Sequence, residues 1–177
     1  MGDIMRVYHK NVGWLVLMFG LLCSSFMFST DIKERSSRLQ QDYDVLFENS
    51  SGSDISLSSL KGKVVVINYW AKWCMPCLVE MPALNQLYLD MRENSNIIFM
   101  AVDMDGNAVK GEHFIKKRKY SIPVYHIKTE LPLDLQTKSI PTTIILDRKG
   151  LLVNKHVGGM NFKSTKFREA LQQLSEE

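Results

Sequence analysis

The stretch KVVVINYWAKWCMPC, residues 63–77, decides the fold. Its first part, Lys63–Trp70, is an almost continuous run of apolar and β-branched residues, which is typical of a central strand buried on both faces. From Pro76 to Arg92 the apolar residues recur at helical spacing, and a proline suits the first turn of a helix because its missing N–H costs nothing there. Cys74 and Cys77 therefore lie where a buried strand passes into a helix.

Outward from this stretch, strands and helices alternate. This order predicts an α/β layered domain with a sheet flanked by helices. Pro82 lies inside the first helix, where we expect a kink. The further predicted elements are a hairpin of Asp44–Phe47 and Ile55–Leu57, strands Asn96–Val102 and Val124–Ile127, a helix Ala108–Lys119, a hairpin of Thr142–Leu146 and Leu151–His156, and a helix Lys163–Leu174.

The N-terminal part of the chain has a different composition. Residues 12–30 contain no charged side chain, and as a helix at about 1.5 Å per residue they reach about 28 Å, close to the hydrocarbon core of a bilayer. We interpret residues 12–30 as a transmembrane signal anchor behind a short segment, 1–11. A cleaved signal peptide is the alternative, although bulky residues interrupt the small ones that a cleavage site needs. Residues 31–42 are a polar linker, and 43–177 form the folded domain.

The chain has 177 residues, 22 Lys+Arg and 19 Asp+Glu, a net charge of +3. Such a small excess without a basic run gives no reason to expect nucleic-acid binding. Lys and Arg flank the apolar segment on both sides, so the positive-inside rule does not decide its orientation.

The chemistry lies in the cysteine pair. A cysteine at a helix N-terminus faces unpaired backbone N–H groups and the positive end of the helix dipole, which stabilise its thiolate. The thiolate is the nucleophile of thiol–disulfide exchange. We therefore expect Cys74 to attack a substrate disulfide and Cys77, one turn later, to resolve the mixed disulfide.

Two readings without redox chemistry compete. Half of a zinc site would need two further ligands, but Cys23 is in the apolar segment and the four histidines show no zinc-ligand spacing, so we predict no metal. Two inert buried thiols would be the other reading, which the strand–turn–helix context disfavours.

The motif Trp70-Ala71-Lys72-Trp73-Cys74-Met75-Pro76-Cys77 resembles the thioredoxin active site, and Ile140-Pro141-Thr142 resembles the cis-proline loop of that fold. The lead Ser56–Asn68, the sequence Glu80-Met81-Pro82 and the N-terminal anchor are similar to those of membrane-anchored TlpA/ResA-type proteins. The resemblance covers residues 43–175. It implies a thioredoxin-like fold with a central mixed sheet, and a cis peptide before Pro141.

The resemblance also implies roles for individual residues. Asn68 stands where thioredoxin has a buried aspartate, and TlpA/ResA-type proteins carry a glutamate after the cysteines instead, matching Glu80. Glu80 would take the proton of the Cys77 thiol as it becomes a thiolate. The remaining predicted site residues, which would contact the substrate chain, are Trp73, Met75, Pro76, Ile140 and Pro141.

The function that follows is a membrane-tethered thiol–disulfide oxidoreductase on the extracytoplasmic side that needs no cofactor. The resemblance implies reduction of a protein disulfide, for example in apocytochrome c, with electrons from a membrane redox partner. Two alternatives remain. A thiol peroxidase would need a hydroxyl residue where Ala71 or Lys72 stands. A copper-binding module of this fold would use C-x-x-x-C spacing, whereas this chain has C-x-x-C.

Overall fold

The computed structural model describes residues 43–177. Strand β3, Val64–Trp70, is buried at every position, which confirms the prediction of a central strand. It pairs in parallel with β4 and antiparallel with β6, so the sheet is mixed, as predicted. In chain order the elements are β1 (Leu46–Asn49), β2 (Asp54–Ser56), a 3-10 turn (Leu57–Leu60), β3 (Val64–Trp70), α1 (Met75–Met91), β4 (Ile97–Asp103), α2 (Ala108–Lys117), β5 (Val124–Ile127), β6 (Thr142–Leu146), β7 (Leu152–Val157) and α3 (Thr165–Glu176).

Within residues 43–177 the sheet has seven strands in the order β2-β1-β5-β4-β3-β6-β7. The N-terminal hairpin of β1 and β2 joins it through β5, which pairs antiparallel with β1. The order puts β3 next to β6, so the start of β6 lies beside the end of β3 from which the cysteine motif follows.

The two faces of the sheet are covered differently. Alternate β3 residues, Val64, Val66 and Trp70, pack with apolar residues of α1, α2 and α3. The opposite β3 residues, Val65, Ile67 and Tyr69, pack against the chain before β1, the 3-10 turn and the segment between β5 and β6. Each large apolar side chain buried in this way contributes about 1.5–3 kcal/mol. The core therefore fixes β3, and with it the position where α1 begins.

Helix boundaries differ from the sequence prediction by one or two residues, for local reasons. Helix α1 begins at Met75, with Cys74 as its N-cap, and continues through Pro82 to Met91. Helix α2 ends at Lys117 because Lys119 adopts a left-handed conformation, φ 62°, which stops a helix. Helix α3 begins at Thr165, after Ser164, whose hydroxyl accepts a hydrogen bond from the Phe167 N–H.

Nothing in the described residues tests the anchor. Segment 1–11, the predicted anchor 12–30 and the linker 31–42 all lie outside residues 43–177. Within 43–177, no helix combines the length and the apolar character that crossing a bilayer requires.

Candidate active site

Cys74 and Cys77 form a disulfide, with an S–S distance of 2.06 Å. Both are buried: Cys74 is 4 % exposed and Cys77 is fully buried. Cys74 is the N-cap of α1, and its Sγ accepts a hydrogen bond from the Cys77 N–H at 3.3 Å. The same N–H and the helix dipole would stabilise a Cys74 thiolate once the disulfide is reduced. The pair therefore has the geometry of a reversible dithiol–disulfide couple.

Exposed apolar side chains surround this buried disulfide. Trp73, Met75 and Val79 are 70 %, 67 % and 76 % exposed. The Trp73 indole is held in place because its Nε1–H donates to Asp105 Oδ1 at 2.9 Å. Asp105 also pairs with Lys72, at 3.5 Å. Grouped apolar exposure of this kind typically marks an interaction surface, and it includes the predicted contact residues Trp73, Met75 and Pro76.

The predicted cis-proline loop lies at the same end of the sheet. The Ile140–Pro141 peptide is cis, which confirms that prediction. Thr142 pairs with Tyr69, so Pro141 stands opposite Trp70 at the carboxyl end of β3. Ile140 packs against the core cluster that contains both cysteines. The fold thus brings the two sequence motifs together at one edge.

Glu80 is buried, at 7 % exposure, and both of its carboxylate oxygens have partners. Oε1 accepts from the Asn68 Nδ2–H at 2.9 Å, and Oε2 accepts from the Met160 backbone N–H at 2.7 Å. Burial raises the pKa of Glu80, while these two hydrogen bonds and the nearby His156 act in the opposite direction. A carboxyl whose pKa is raised is better matched to receive a thiol proton near neutral pH.

A groove of about 440 Å³ opens next to the first turns of α1, with Pro76 of the cysteine motif in its lining. Glu80 reaches this groove together with α1 side chains and the segment that connects β7 to α3. Its lining consists of Pro76, Val79, Glu80, Ala83, Gly159, Met160, Asn161, Phe162 and Lys163. Glu80 is therefore buried and yet borders a space that adjoins the cysteine motif.

A second buried carboxyl, Asp103, was not singled out as a site residue by the sequence. It ends β4 opposite Trp70 and is 1 % exposed. Its Oδ1 accepts from the Asp105 N–H at 2.9 Å, whereas Oδ2 has no hydrogen-bond partner within residues 43–177. Burial raises the pKa of Asp103.

The structure shows two features near Glu80 that the sequence did not reveal, a backbone donor at Met160 and a contact between His156 and the Gly159 carbonyl. A backbone N–H such as that of Met160 cannot be recognised from residue type. The one sequence feature that indicates a turn here is Val157-Gly158-Gly159-Met160, at the end of β7. His156 lies on β7 and was not among the predicted site residues. Its Nε2 lies 3.1 Å from the Gly159 carbonyl oxygen.

Among residues 43–177 no group of three or more His, Cys, Asp or Glu side chains could hold a metal ion.

The comparisons agree with this geometry. The Redoxin family matches residues 31–174. The thioredoxin-like protein YneN of Bacillus subtilis is 34 % identical over 127 residues, which are 70 % of this chain and 74 % of that protein. The thiol-disulfide oxidoreductase ResA of Bacillus cereus is 34 % identical over 108 residues, 60 % of this chain and 62 % of that protein, so the chain spans less than two thirds of this relative.

Solved structures give the same result. The crystal structure of StoA from Bacillus subtilis is 28 % identical, with a TM-score of 0.57, and the match covers 70 % of this chain and 92 % of that one. A structure described as a putative thiol:disulfide interchange protein DsbE from Chlorobium tepidum is 26 % identical, with a TM-score of 0.57, and the match covers 76 % and 94 % of the two chains. The chain, in which Cys74 and Cys77 form a disulfide, therefore belongs to the Redoxin family, as a thioredoxin-superfamily thiol–disulfide oxidoreductase of the TlpA/ResA type.

Proposed function

We propose that this protein reduces disulfides of other proteins on the extracytoplasmic side of a membrane, tethered by residues 12–30. One observation carries the proposal: Glu80 is buried one helical turn beyond Cys77, with both oxygens held by hydrogen bonds. A reductase needs a base for the thiol of its resolving cysteine, because a fully buried thiol does not ionise readily by itself.

The reaction begins with the reduced pair. The Cys74 thiolate attacks one sulfur of the substrate disulfide, which forms a mixed disulfide and releases the other substrate sulfur as a thiolate. Glu80 takes the proton from Cys77, and the Cys77 thiolate attacks Cys74 Sγ. This step forms the Cys74–Cys77 disulfide and releases the second substrate thiolate. Two electrons pass to the substrate, and its two sulfurs take up two protons.

The state described by the structure is the product of that sequence, the oxidised pair. A further turnover requires a dithiol donor that reduces it again. We propose a membrane redox partner for this step, as the TlpA/ResA resemblance implies. The apolar surface of Trp73, Met75 and Val79 is available for either protein, since it surrounds the buried sulfurs.

The substrate proposal is more specific. The TlpA/ResA resemblance implies the disulfide of an apocytochrome c, which forms between the two cysteines of a CxxCH haem-binding sequence. A groove that Pro76 of the cysteine motif lines together with Glu80 and apolar side chains suits an extended peptide segment next to such a disulfide.

The direction of the reaction is tested by the reduction potential of the Cys74–Cys77 couple in the full chain, together with reduction of insulin and of an oxidised CxxCH peptide. We expect a potential well below roughly −150 mV and reduction of both substrates. A potential above that value, in the range of strong disulfide oxidants, would replace the reductase by an oxidase.

The partner is tested by trapping. Cys77→Ser should accumulate mixed disulfides at Cys74, which mass spectrometry would identify, while Cys74→Ser is the matched control that should trap nothing. Recovery of the same proteins with both variants would contradict the proposed division of roles between the two cysteines.

A further inference from the structure

We propose that His156 is a positioning residue for Glu80: its imidazole holds the Gly159 carbonyl and thereby aims the Met160 N–H at the carboxylate. The inference rests on the proposed role of Glu80 as the base for Cys77. It assigns a function to a residue that lies on β7, outside the cysteine motif and the cis-proline loop.

The first step concerns the donor. His156 Nε2 lies 3.1 Å from the Gly159 carbonyl oxygen. A carbonyl oxygen accepts hydrogen bonds and cannot donate them, so Nε2 must carry the proton. The imidazole is therefore fixed as an N–H donor to the segment that follows β7.

The second step concerns the segment itself. The residue after Gly159 is Met160, whose N–H donates to Glu80 Oε2 at 2.7 Å. The carbonyl of Gly159 and the N–H of Met160 belong to the same planar peptide unit. A hydrogen bond that fixes the oxygen of this unit also fixes the direction of its N–H. His156 therefore acts on Glu80 through one rigid peptide group.

The sheet explains why His156 is suitably placed. Asn68 on β3 pairs with Thr143 on β6, and Thr143 pairs with His156 on β7. Residues paired in this way point to the same face of the sheet. Asn68 donates to Glu80 Oε1 directly, whereas His156 holds the peptide unit whose N–H donates to Oε2. One row across three strands therefore supports both carboxylate oxygens.

The turn after β7, residues 157–160, is also hydrogen-bonded to the cis-proline loop. Gly158 adopts φ 104°, a left-handed conformation that favours glycine, and its N–H donates to the Pro141 carbonyl at 2.8 Å. A Cβ at Gly159 would lie 3.8 Å from Glu80 Oε2, an ordinary van der Waals distance, so the turn packs directly against the carboxylate. The turn is held from β7, from the cis-proline loop and from Glu80.

The charge of His156 acts in the same direction as the positioned N–H. Both favour the ionised form of Glu80 and so lower its pKa against the effect of burial. Among the residues that line the groove with Glu80, Lys163 is the other charged side chain, while the row partners Asn68 and Thr143 are uncharged. Loss of His156 should therefore leave Glu80 protonated up to a higher pH.

The experiment is an NMR titration of the Glu80 carboxyl carbon in the oxidised full chain. We compare the wild type with His156→Ala, His156→Gln and the exposed α2 control His113→Ala. We expect the titration midpoint to move to higher pH in His156→Ala. It should move less in His156→Gln, which retains an N–H donor but no charge, and stay in place in His113→Ala. This readout does not depend on which proteins the molecule reduces.

The kinetic consequence is measured separately, as the rate of disulfide exchange by the reduced chain across the pH range. His156→Ala should slow exchange about fivefold at the acid end, where Glu80 would be protonated, and hardly at all at the alkaline end. In a Glu80→Gln background the same substitution should have no effect.

Either of two results would overturn the inference. One is a Glu80 midpoint that is the same in His156→Ala and His113→Ala. The other is a loss of rate that is equal at every pH and persists with Glu80→Gln, because this would show damage to the fold alone. Failure of the protein to reduce insulin would refute the proposed function instead and would leave the titration result standing.

Discussion

Glu80 and Asp103 are two buried carboxyl groups near the end of β3, and they differ in their surroundings. Both are less than 10 % exposed, and burial raises the pKa of both. Glu80 has a partner on each oxygen and borders a groove that Pro76 also lines. Asp103 Oδ2 has no partner within residues 43–177 and lies beneath α2, against Gly111.

The difference teaches that burial and a raised pKa do not by themselves identify a catalytic acid or base. What distinguishes Glu80 is a hydrogen-bond partner on each carboxylate oxygen and a position in a groove that Pro76, between the two cysteines, also lines. Asp103 has its role in the loop after β4, where its Oδ1 orients the backbone of Asp105, the residue that holds Trp73. The proposed role of Glu80 is therefore proton transfer, and that of Asp103 is to support the contact surface.

The largest expected effect separates the two acids by activity. Glu80→Gln should lower the rate of insulin reduction about 100-fold, because general-base catalysis typically contributes that much or more. Asp103→Asn, which likewise replaces a carboxylic acid by its amide, should change this rate by less than about threefold. Steady-state rates of the purified full chains measure both. Equal losses in the two variants would remove the distinction between them.

The second prediction compares how closely a neighbouring glycine packs against each of the two carboxyl groups. A Cβ at Gly111 would lie 2.6 Å from Asp103 Oδ2 and 3.1 Å from Val124 Cγ1, whereas at Gly159 it would be 3.8 Å from Glu80 Oε2. Gly111→Ala should therefore lower the free energy of unfolding by about 1–2 kcal/mol, even after the better helix propensity of alanine. Gly159→Ala should change it by less than about 0.5 kcal/mol.

Urea unfolding followed by circular dichroism measures both glycine variants. The packing account would be wrong if Gly111→Ala were as stable as Gly159→Ala.

The smallest effect concerns stability against pH. The folded-state pKa of Asp103 is raised, so the folded protein binds this proton more tightly than the unfolded chain does. Stability from this group is therefore present at low pH and lost as the pH rises from the ordinary aspartate value through the raised one. Asp103→Asn lacks this loss, so its free energy of unfolding should rise relative to that of the wild type as the pH increases above the ordinary aspartate pKa.

Asp44→Asn, at an exposed position, serves as the surface control for that series. A difference between Asp103→Asn and the wild type that stays constant with pH would contradict the raised pKa of Asp103.

The sequence predicted the elements that carry a strong local signal. The apolar run of β3, the cysteines at the start of α1 and the cis peptide before Pro141 were all found as expected. These features depend on residues that are close in the chain or on a residue type with one conformational use. The predicted helix ends were displaced because a single backbone conformation, as at Lys119, stops a helix without a distinctive residue.

The support around Glu80 could not be predicted in the same way. Sequence singled out Glu80 and Asn68 separately, but the hydrogen bond between them spans two elements, and the second oxygen is held by a backbone N–H that any residue at position 160 other than proline would supply. Asp103 was missed as a buried acid because its burial depends on the close approach of α2 at Gly111.

The central claim is that Glu80 takes the proton from Cys77 and so acts on the second step of exchange. A chromogenic aromatic disulfide separates the steps, because attack by Cys74 releases one coloured thiolate and resolution by Cys77 releases another. Reduced full chain carrying Cys23→Ser, so that Cys74 and Cys77 are its two thiols, is mixed rapidly with this reagent. Adding Glu80→Gln should slow the second release about 100-fold and leave the first within about twofold. A second release that is unchanged, or two releases slowed to the same extent, would contradict the claim.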